Sequence, residues 1–270
     1  MSYKFLGQIL SLVRARRPLV HQITNYVTVN ACANATLAIG ASPIMAHAPE
    51  EMEEMVSLAQ ALLLNIGTPD ENSYKAMLLA GRAANTRNIP VLLDPVGAGA
   101  TAYRTKISEN LLHELRIAVV RGNQSEIRAL LRLSSETRGV DSVTDQADFS
   151  AVAATAARKF NCVVAATGEV DYISDGKKCL AIYNQHALLQ KVTGTGCMCT
   201  ALAACCVAAA PQQPLEAACT GVAISGLAGE IAAAKIAPAL GTGSFHTELM
   251  NAFAEMNPGT LQEKTRLKWV

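Results

Sequence analysis

Val192-Thr193-Gly194-Thr195-Gly196-Cys197 runs straight into the alanine-rich stretch Met198–Ala210, a good helix former stopped by Pro211. Two glycines two residues apart make a tight turn that lets backbone approach a ligand closely. A glycine turn feeding a helix N-terminus aims free N–H groups and the positive end of the helix dipole at one point. Gly194, Thr195, Gly196 and Cys197 therefore form a candidate anion hole, suited to phosphate or to an oxyanion that develops during reaction. Cys197 stands at its mouth, where a thiol pKa tends to fall, which makes it the candidate catalytic group. The plainer alternative is a turn with a small buried cysteine behind it.

A second constellation is made of charges. Asn123-Gln124-Ser125-Glu126 closes a strand and opens a helix. Glu126 lies in that helix's first turn, where a carboxylate suits the dipole, so capping is one role open to it. The other is that Asp94 and Glu126 hold Mg²⁺ directly or through water, as a hard cation with carboxylate ligands does at a nucleotide-phosphate site. Arg121 would neutralise phosphate oxygens beside them, or make a surface ion pair.

Elements that could bring these residues together follow from the pattern of apolar runs. Strands are expected at 43–48, 61–66, 90–94, 117–121 and 162–167, with a hairpin of 170–174 and 179–183 around Asp175-Gly176. Helices are expected at 50–59, 70–86, 106–114, 125–133 and 145–159, and the last third is helical at 197–210, 214–234 and 244–256. Continuous apolar strands alternating with helices imply a parallel sheet buried on both faces. Asn65-Ile66-Gly67-Thr68, Asp94–Gly99, Arg121-Gly122-Asn123 and Thr167-Gly168 are then all carboxyl ends of strands. They share one sheet edge, where open α/β folds bind ligands. Residues 1–270 read as one domain.

Composition narrows the function. Half the residues are apolar, 17% are charged and the net charge is +1, so a deep core is affordable and no basic surface for nucleic acid stands out. Aromatic residues make up only 4%, too few for a single-strand stacking platform. The first twenty residues lack the order of a secretory signal. Cys197–Ala210, read as the longest weakly polar stretch, is too short to span a bilayer. Eight cysteines without CxxC pairs imply neither zinc nor a disulfide framework. The expectation is a cytoplasmic chain with no membrane and no nucleic-acid partner. The glycine loop lies too late in the chain for a Rossmann dehydrogenase.

The Asn123–Glu126 element, the Gly194–Cys197 loop and the order of strands resemble the ribokinase-like superfamily of ATP-dependent kinases. His21-Gln22-Ile23-Thr24-Asn25-Tyr26-Val27, Asp94-Pro95-Val96-Gly97-Ala98, Arg121-Gly122-Asn123 and the Val192–Cys197 loop look more specifically like hydroxyethylthiazole kinases, from about residue 18 to 250. The resemblance implies a three-layer sandwich with a central, mostly parallel sheet flanked by helices. It implies transfer of phosphate from ATP, with Mg²⁺, to the hydroxyl of 4-methyl-5-(2-hydroxyethyl)thiazole in thiamine biosynthesis or salvage. Arg121 and Thr167 would touch ATP phosphates, and Asp94 and Glu126 would organise the metal. Asn25, Met45 and Gly194 would contact the thiazole. Cys197 stands where related sugar kinases carry a base. A homotrimer with sites at subunit junctions is implied as well. On the residues alone Asn25 fits equally as a cap for a helix starting near Tyr26, Met45 as a core residue in a strand, and His21 as a satisfied structural histidine. A hydroxymethylpyrimidine or pyridoxal kinase and a nucleotide-binding sensor without turnover are the competing functions.

Overall fold

Nine strands hydrogen-bond into one sheet in a computed structural model that describes residues 3–133, 149–236 and 241–270. In chain order these strands are β1 (Leu19–Ile23), β2 (Ser42–Ile44), β3 (Ala61–Asn65), β4 (Val91–Asp94), β5 (Val119–Asn123), β6 (Val163–Thr167), β7 (Asp171–Ser174), β8 (Cys179–Ile182) and β9 (Leu267–Trp269). Their order across the sheet is β2-β1-β3-β4-β5-β6-β7-β8-β9. The first six are parallel to their neighbours and the last three join antiparallel.

The helices are α1 (Lys4–Arg16), α2 (Val29–Ala38), α3 (Met52–Leu58), α4 (Glu71–Thr86), α5 (Ala102–Glu114), α6 (Gln124–Leu133), α7 (Phe149–Phe160), α8 (Thr195–Ala209), α9 (Pro214–Lys235), α10 (Thr242–Glu255) and α11 (Pro258–Lys264). Alternation along β3 shows the layering. Ala61 and Leu63 enter a core shared with α1, α2, α8, α9 and α10, whereas Leu62 and Leu64 enter one shared with α3, α4, α6 and α7. Helix α4 shows how local sequence sets an element. Asp70 and Ser73 form a reciprocal capping box, and Ala76, Met77, Ala80, Gly81 and Ala84 make the buried stripe. Helix α8 has no polar face: every residue from Cys197 to Ala209 is buried. Gly221 of α9 lets the two helices meet, since a Cβ there would lie 2.3 Å from the Ala203 Cα.

Expected and observed elements differ in ways with physical reasons. Strand β1 was not anticipated, because His21 and Gln22 interrupt its apolar run. Both are buried in the sheet, His21 bonding the Ala46 carbonyl through Nε2 (2.9 Å) and Gln22 donating to Thr36 Oγ1 (2.7 Å). His21 is only half satisfied, since its buried Nδ1 has no partner. Helices α1 and α11 and strand β9 were also unanticipated. The strand expected at 43–48 ends at Ile44, so Met45 lies just beyond it. The helix expected near Tyr26 is α2, which begins at Val29 after a turn at 26–28. Residues 145–148 of the helix expected at 145–159 lie outside the described residues. Helix α9, at 22 residues, and not the 197–210 stretch, is the apolar segment long enough to cross a membrane by length and composition. In the fold it is a core helix, 78% of its apolar window buried.

Candidate active site

The parallel register places the chemistry. Asn65 pairs with Asp94 across β3 and β4, and Asn123 with Thr167 across β5 and β6, so four polar strand ends fall on one edge. Helix α8 arrives at that edge with its N-terminus. Its first intrahelical bond runs from Met198 N–H to Gly194 O (2.8 Å), leaving the N–H groups of Thr195, Gly196 and Cys197 as the opening donors. Gly194 has φ of +86° and a Cβ there would lie 2.8 Å from Thr28 Cγ2, so the turn requires glycine. A Cβ on Gly196 would lie 2.9 Å from Arg121 Nη1, so glycine also lets the guanidinium sit against the loop.

A cavity of about 400 Å³ gathers Asp94, Arg121, Glu126, Thr167 and the Gly194–Cys197 loop. Asn25 and Met45 line a smaller neighbouring cavity of about 180 Å³, together with Tyr26, Thr68 and Asp70. Asn25 links the two, its Nδ2 donating to Cys197 Sγ across 3.4 Å. Its Oδ1 accepts from Val27 N–H (3.1 Å) and its carbonyl from Thr28 and Val29 N–H (3.2 and 3.1 Å), closing the turn that leads into α2. Met45 is half-buried, packing against the core and lining the smaller cavity.

Asp94 is fully buried at the end of β4. Its Oδ2 accepts from Thr200 Oγ1 (2.7 Å) and Asn65 Nδ2 (2.8 Å), while its buried Oδ1 has no partner. That orphaned oxygen fits direct coordination of a hard cation. Glu126 fits a water-mediated role better: Oε1 accepts from Gly97 N–H (2.8 Å) and Oε2 from Asn123 N–H (2.7 Å). The capping geometry is thus real, and it holds the two acidic loops together. Among the described residues no group of three His, Cys, Asp or Glu side chains forms a ready-made cage, so phosphate oxygens and water would complete the coordination.

Arg121 donates through Nη2 to Thr167 Oγ1 (2.7 Å), and its Nε is buried without a partner. Burial works against its charge, but Cys199, Asp94, Glu126 and Asp171 outweigh that and hold it above its ordinary pKa. Asp171, which sequence reasoning passed over as part of a hairpin, accepts from Gly168 N–H (2.9 Å) and Gln185 Nε2 (2.7 Å) beneath this guanidinium. Its burial raises it to about 6. Three acidic side chains, Asp94, Glu126 and Asp171, surround this one arginine.

One electrostatic expectation changes. The Cys197 thiol is pushed up, not down, because burial and the Asp94 charge outweigh the hydrogen bonds from Thr28, Asn65 and Asn25. The local dipole argument took no account of either. Asp94 itself is raised to about 7, mainly by burial. A carboxyl group whose pKa is higher in the folded than in the unfolded chain stabilises the fold at low pH and loses that contribution as pH rises through the folded value. His21, lowered by burial from 6.5, acts with the opposite sign and only below that pH. The melting temperature of ligand-free protein in metal-free buffer is therefore expected to fall between pH 6.5 and 8. Asp94→Asn should flatten that slope in a calorimetric pH series.

Arg104 was also missed. Its guanidinium donates to the carbonyls of Ile66, Val96 and Gly67 at 2.8–2.9 Å, clamping the tips of β3 and β4. No local signal marks an arginine that reaches across two loops.

Comparison with known proteins bears on the family and the fold. A hydroxyethylthiazole kinase from Alkaliphilus oremlandii is 46% identical over 264 residues, covering 97% of each chain. The solved structure of the hydroxyethylthiazole kinase protein from Pyrococcus horikoshii superimposes with a TM-score of 0.90 at 43% identity, covering 99% of each chain. A ribokinase-like superfamily protein from Enterococcus faecalis shares the fold at a TM-score of 0.60 and 14% identity, covering 95% of this chain and 96% of that one. The model of the hydroxyethylthiazole kinase family matches residues 10–258. This chain belongs to the hydroxyethylthiazole kinase family and has its ribokinase-like α/β fold.

Proposed function

We propose that the protein transfers the γ-phosphoryl group of ATP to the hydroxyl of 4-methyl-5-(2-hydroxyethyl)thiazole, giving the phosphate used in thiamine biosynthesis or salvage. The observation that carries this reading is the junction of the two cavities: the α8 N-terminus, Arg121 and Asp94 surround the larger, Asn25 and Met45 the smaller, and Cys197 stands between.

ATP phosphates would lie along the sheet edge against Arg121 and Thr167, with the transferring group at the N–H donors of Gly194–Cys197. Asp94 would hold magnesium through Oδ1, and Glu126 would hold its water. When bound, the metal neutralises the charge that gathers on the phosphate oxygens. The acceptor hydroxyl would approach past Asn25, Met45 and Gly194. Its oxygen bonds to the γ-phosphorus as the bond to the bridging oxygen breaks and ADP leaves; its proton passes to Cys197 only where that thiol has ionised, and otherwise to an oxygen of the transferred phosphoryl group. A raised thiol pKa makes Cys197 a poor base before substrate binds. Positioning and charge neutralisation dominate this chemistry, so its contribution is secondary. Cys197→Asp is expected to remain active and Cys197→Ala to lose about tenfold in kcat, less than the roughly 10²- to 10⁴-fold of a full general-base contribution.

A homotrimer with sites at subunit junctions accompanies this proposal. Tyr26 and Val27 are 69% and 64% exposed beside the smaller cavity, an apolar rim suited to cover by another subunit. A cytoplasmic location fits ATP dependence and eight free thiols. The single-domain reading of residues 1–270 is supported by one sheet running from Leu19 to Trp269. An ADP-release assay with Mg-ATP and hydroxyethylthiazole, hydroxymethylpyrimidine or pyridoxal tests the reading. Turnover confined to the thiazole alcohol is expected; turnover of either other acceptor alone would overturn the pocket assignment, and silence with all three would favour a sensor.

A further inference from the structure

Asn65 is the last residue of β3 and 1% exposed; its side chain makes three hydrogen bonds with nitrogen and oxygen partners and also faces the Cys197 thiol. Its Nδ2 donates to Asp94 Oδ2 at 2.8 Å, and its Oδ1 accepts from Gly67 N–H and from Asn25 Nδ2, both at 2.9 Å. A backbone N–H can only donate and an ionised carboxylate only accept, so a single amide orientation satisfies this set. The same logic sets Asn25: its Oδ1 is held by Val27 N–H, which turns Nδ2 toward both Asn65 and Cys197 Sγ. The result is a directed chain from Cys197 through Asn25 and Asn65 to Asp94. Thr200 takes up the rest of Asp94 Oδ2, which leaves Oδ1 as the unpartnered oxygen.

We propose that Asn65 is a positioning residue that registers the acceptor side of the site, Asn25 and Cys197, against the phosphoryl side, Asp94. It touches neither substrate. Its two ends bond groups that must stand at opposite sides of the reacting phosphorus, so one side chain sets their separation. This rests on the kinase reading above. Misplacement of reacting groups by about 1 Å costs on the order of 10²-fold in rate. Loss of Asn65 should therefore act on kcat and leave the affinity for each substrate near wild type.

Asn65→Asp is isosteric; it keeps an acceptor for Asn25 and Gly67 and replaces only the donor to Asp94 with a like charge. Asn65→Ala removes all three bonds without adding charge. Both are measured in the ADP-release assay with the thiazole alcohol, with melting temperatures, and with calorimetric titration of the magnesium complex of the non-hydrolysable analogue AMP-PCP. The expected result is a kcat lower by about 10²-fold in Asn65→Ala, unchanged KM for the acceptor, and wild-type affinity for the analogue. Asn25→Ala combined with Asn65→Ala should be little slower than the slower single variant, because both break one chain. Wild-type kcat in Asn65→Ala, or full additivity in the double variant, would overturn the proposal. Loss of folding in both Asn65 variants would also overturn it, making the residue structural. An inactive wild type would sink the kinase reading itself, which separates the two failures.

Discussion

Asp94→Asn is expected to lower kcat by about 10²- to 10³-fold, the loss of several kcal/mol of metal-borne charge stabilisation at about 1.4 kcal/mol per decade. The amide keeps the shape of the carboxyl and can still accept from Thr200 or Asn65 through its oxygen. It cannot offer a charged Oδ1 to a cation. Removing a buried carboxyl with a raised pKa also relieves the fold of a charge it has to hold without water, so stability should hold or rise. A variant that melts no earlier yet turns over far more slowly would separate catalysis from folding. Near wild-type kcat at saturating magnesium would remove Asp94 from the metal site.

Arg121→Ala is expected to have the larger effect, about 10³-fold or more in kcat, the range seen when an arginine at a transferring phosphoryl group is lost. It carries a folding penalty as well. Asp94, Glu126 and Asp171 would lose their shared counter-charge, and stranding buried charge costs about 3–5 kcal/mol. Arg121→Lys separates the two effects. An ammonium keeps the positive charge among the acids but cannot span Thr167 and the Gly196 loop at once. It should restore most of the melting temperature and little of kcat. Equal recovery of both would mean that the arginine serves the fold alone.

How far the sequence revealed the site depended on whether a signal was local. Strand ends with Gly, Asn, Asp or Thr after an apolar run stood out, and a parallel sheet has only one edge for them; Asp94, Arg121 and Thr167 were singled out that way, and the α8 loop by its paired glycines before a helix. The capping geometry of Glu126 was legible too, since Asn123 and Glu126 lie within one turn. Strand β1 was hidden because His21 and Gln22 look wrong for a buried strand until their distant partners, Ala46 and Thr36, are known. Asn65 was visible only as a turn residue, since its role comes from Asp94 and Asn25, 29 and 40 positions away. The direction of the Cys197 shift was misjudged for a related reason. A helix N-terminus is read from neighbouring residues, whereas burial and the Asp94 charge come from the whole fold.

The unbroken burial of α8 bears on how this enzyme can diversify. Its first turn carries the proposed anion site and the rest of the helix fills the core, so a residue change that shifts the turn must also repack the centre of the molecule. The phosphate-handling half is therefore closed to gradual change. Tyr26, Val29, Met45 and His47 border the smaller cavity with exposed or half-buried side chains. New acceptor alcohols are open to descendants of this chain through substitutions there, while the machinery for handling ATP is inherited whole.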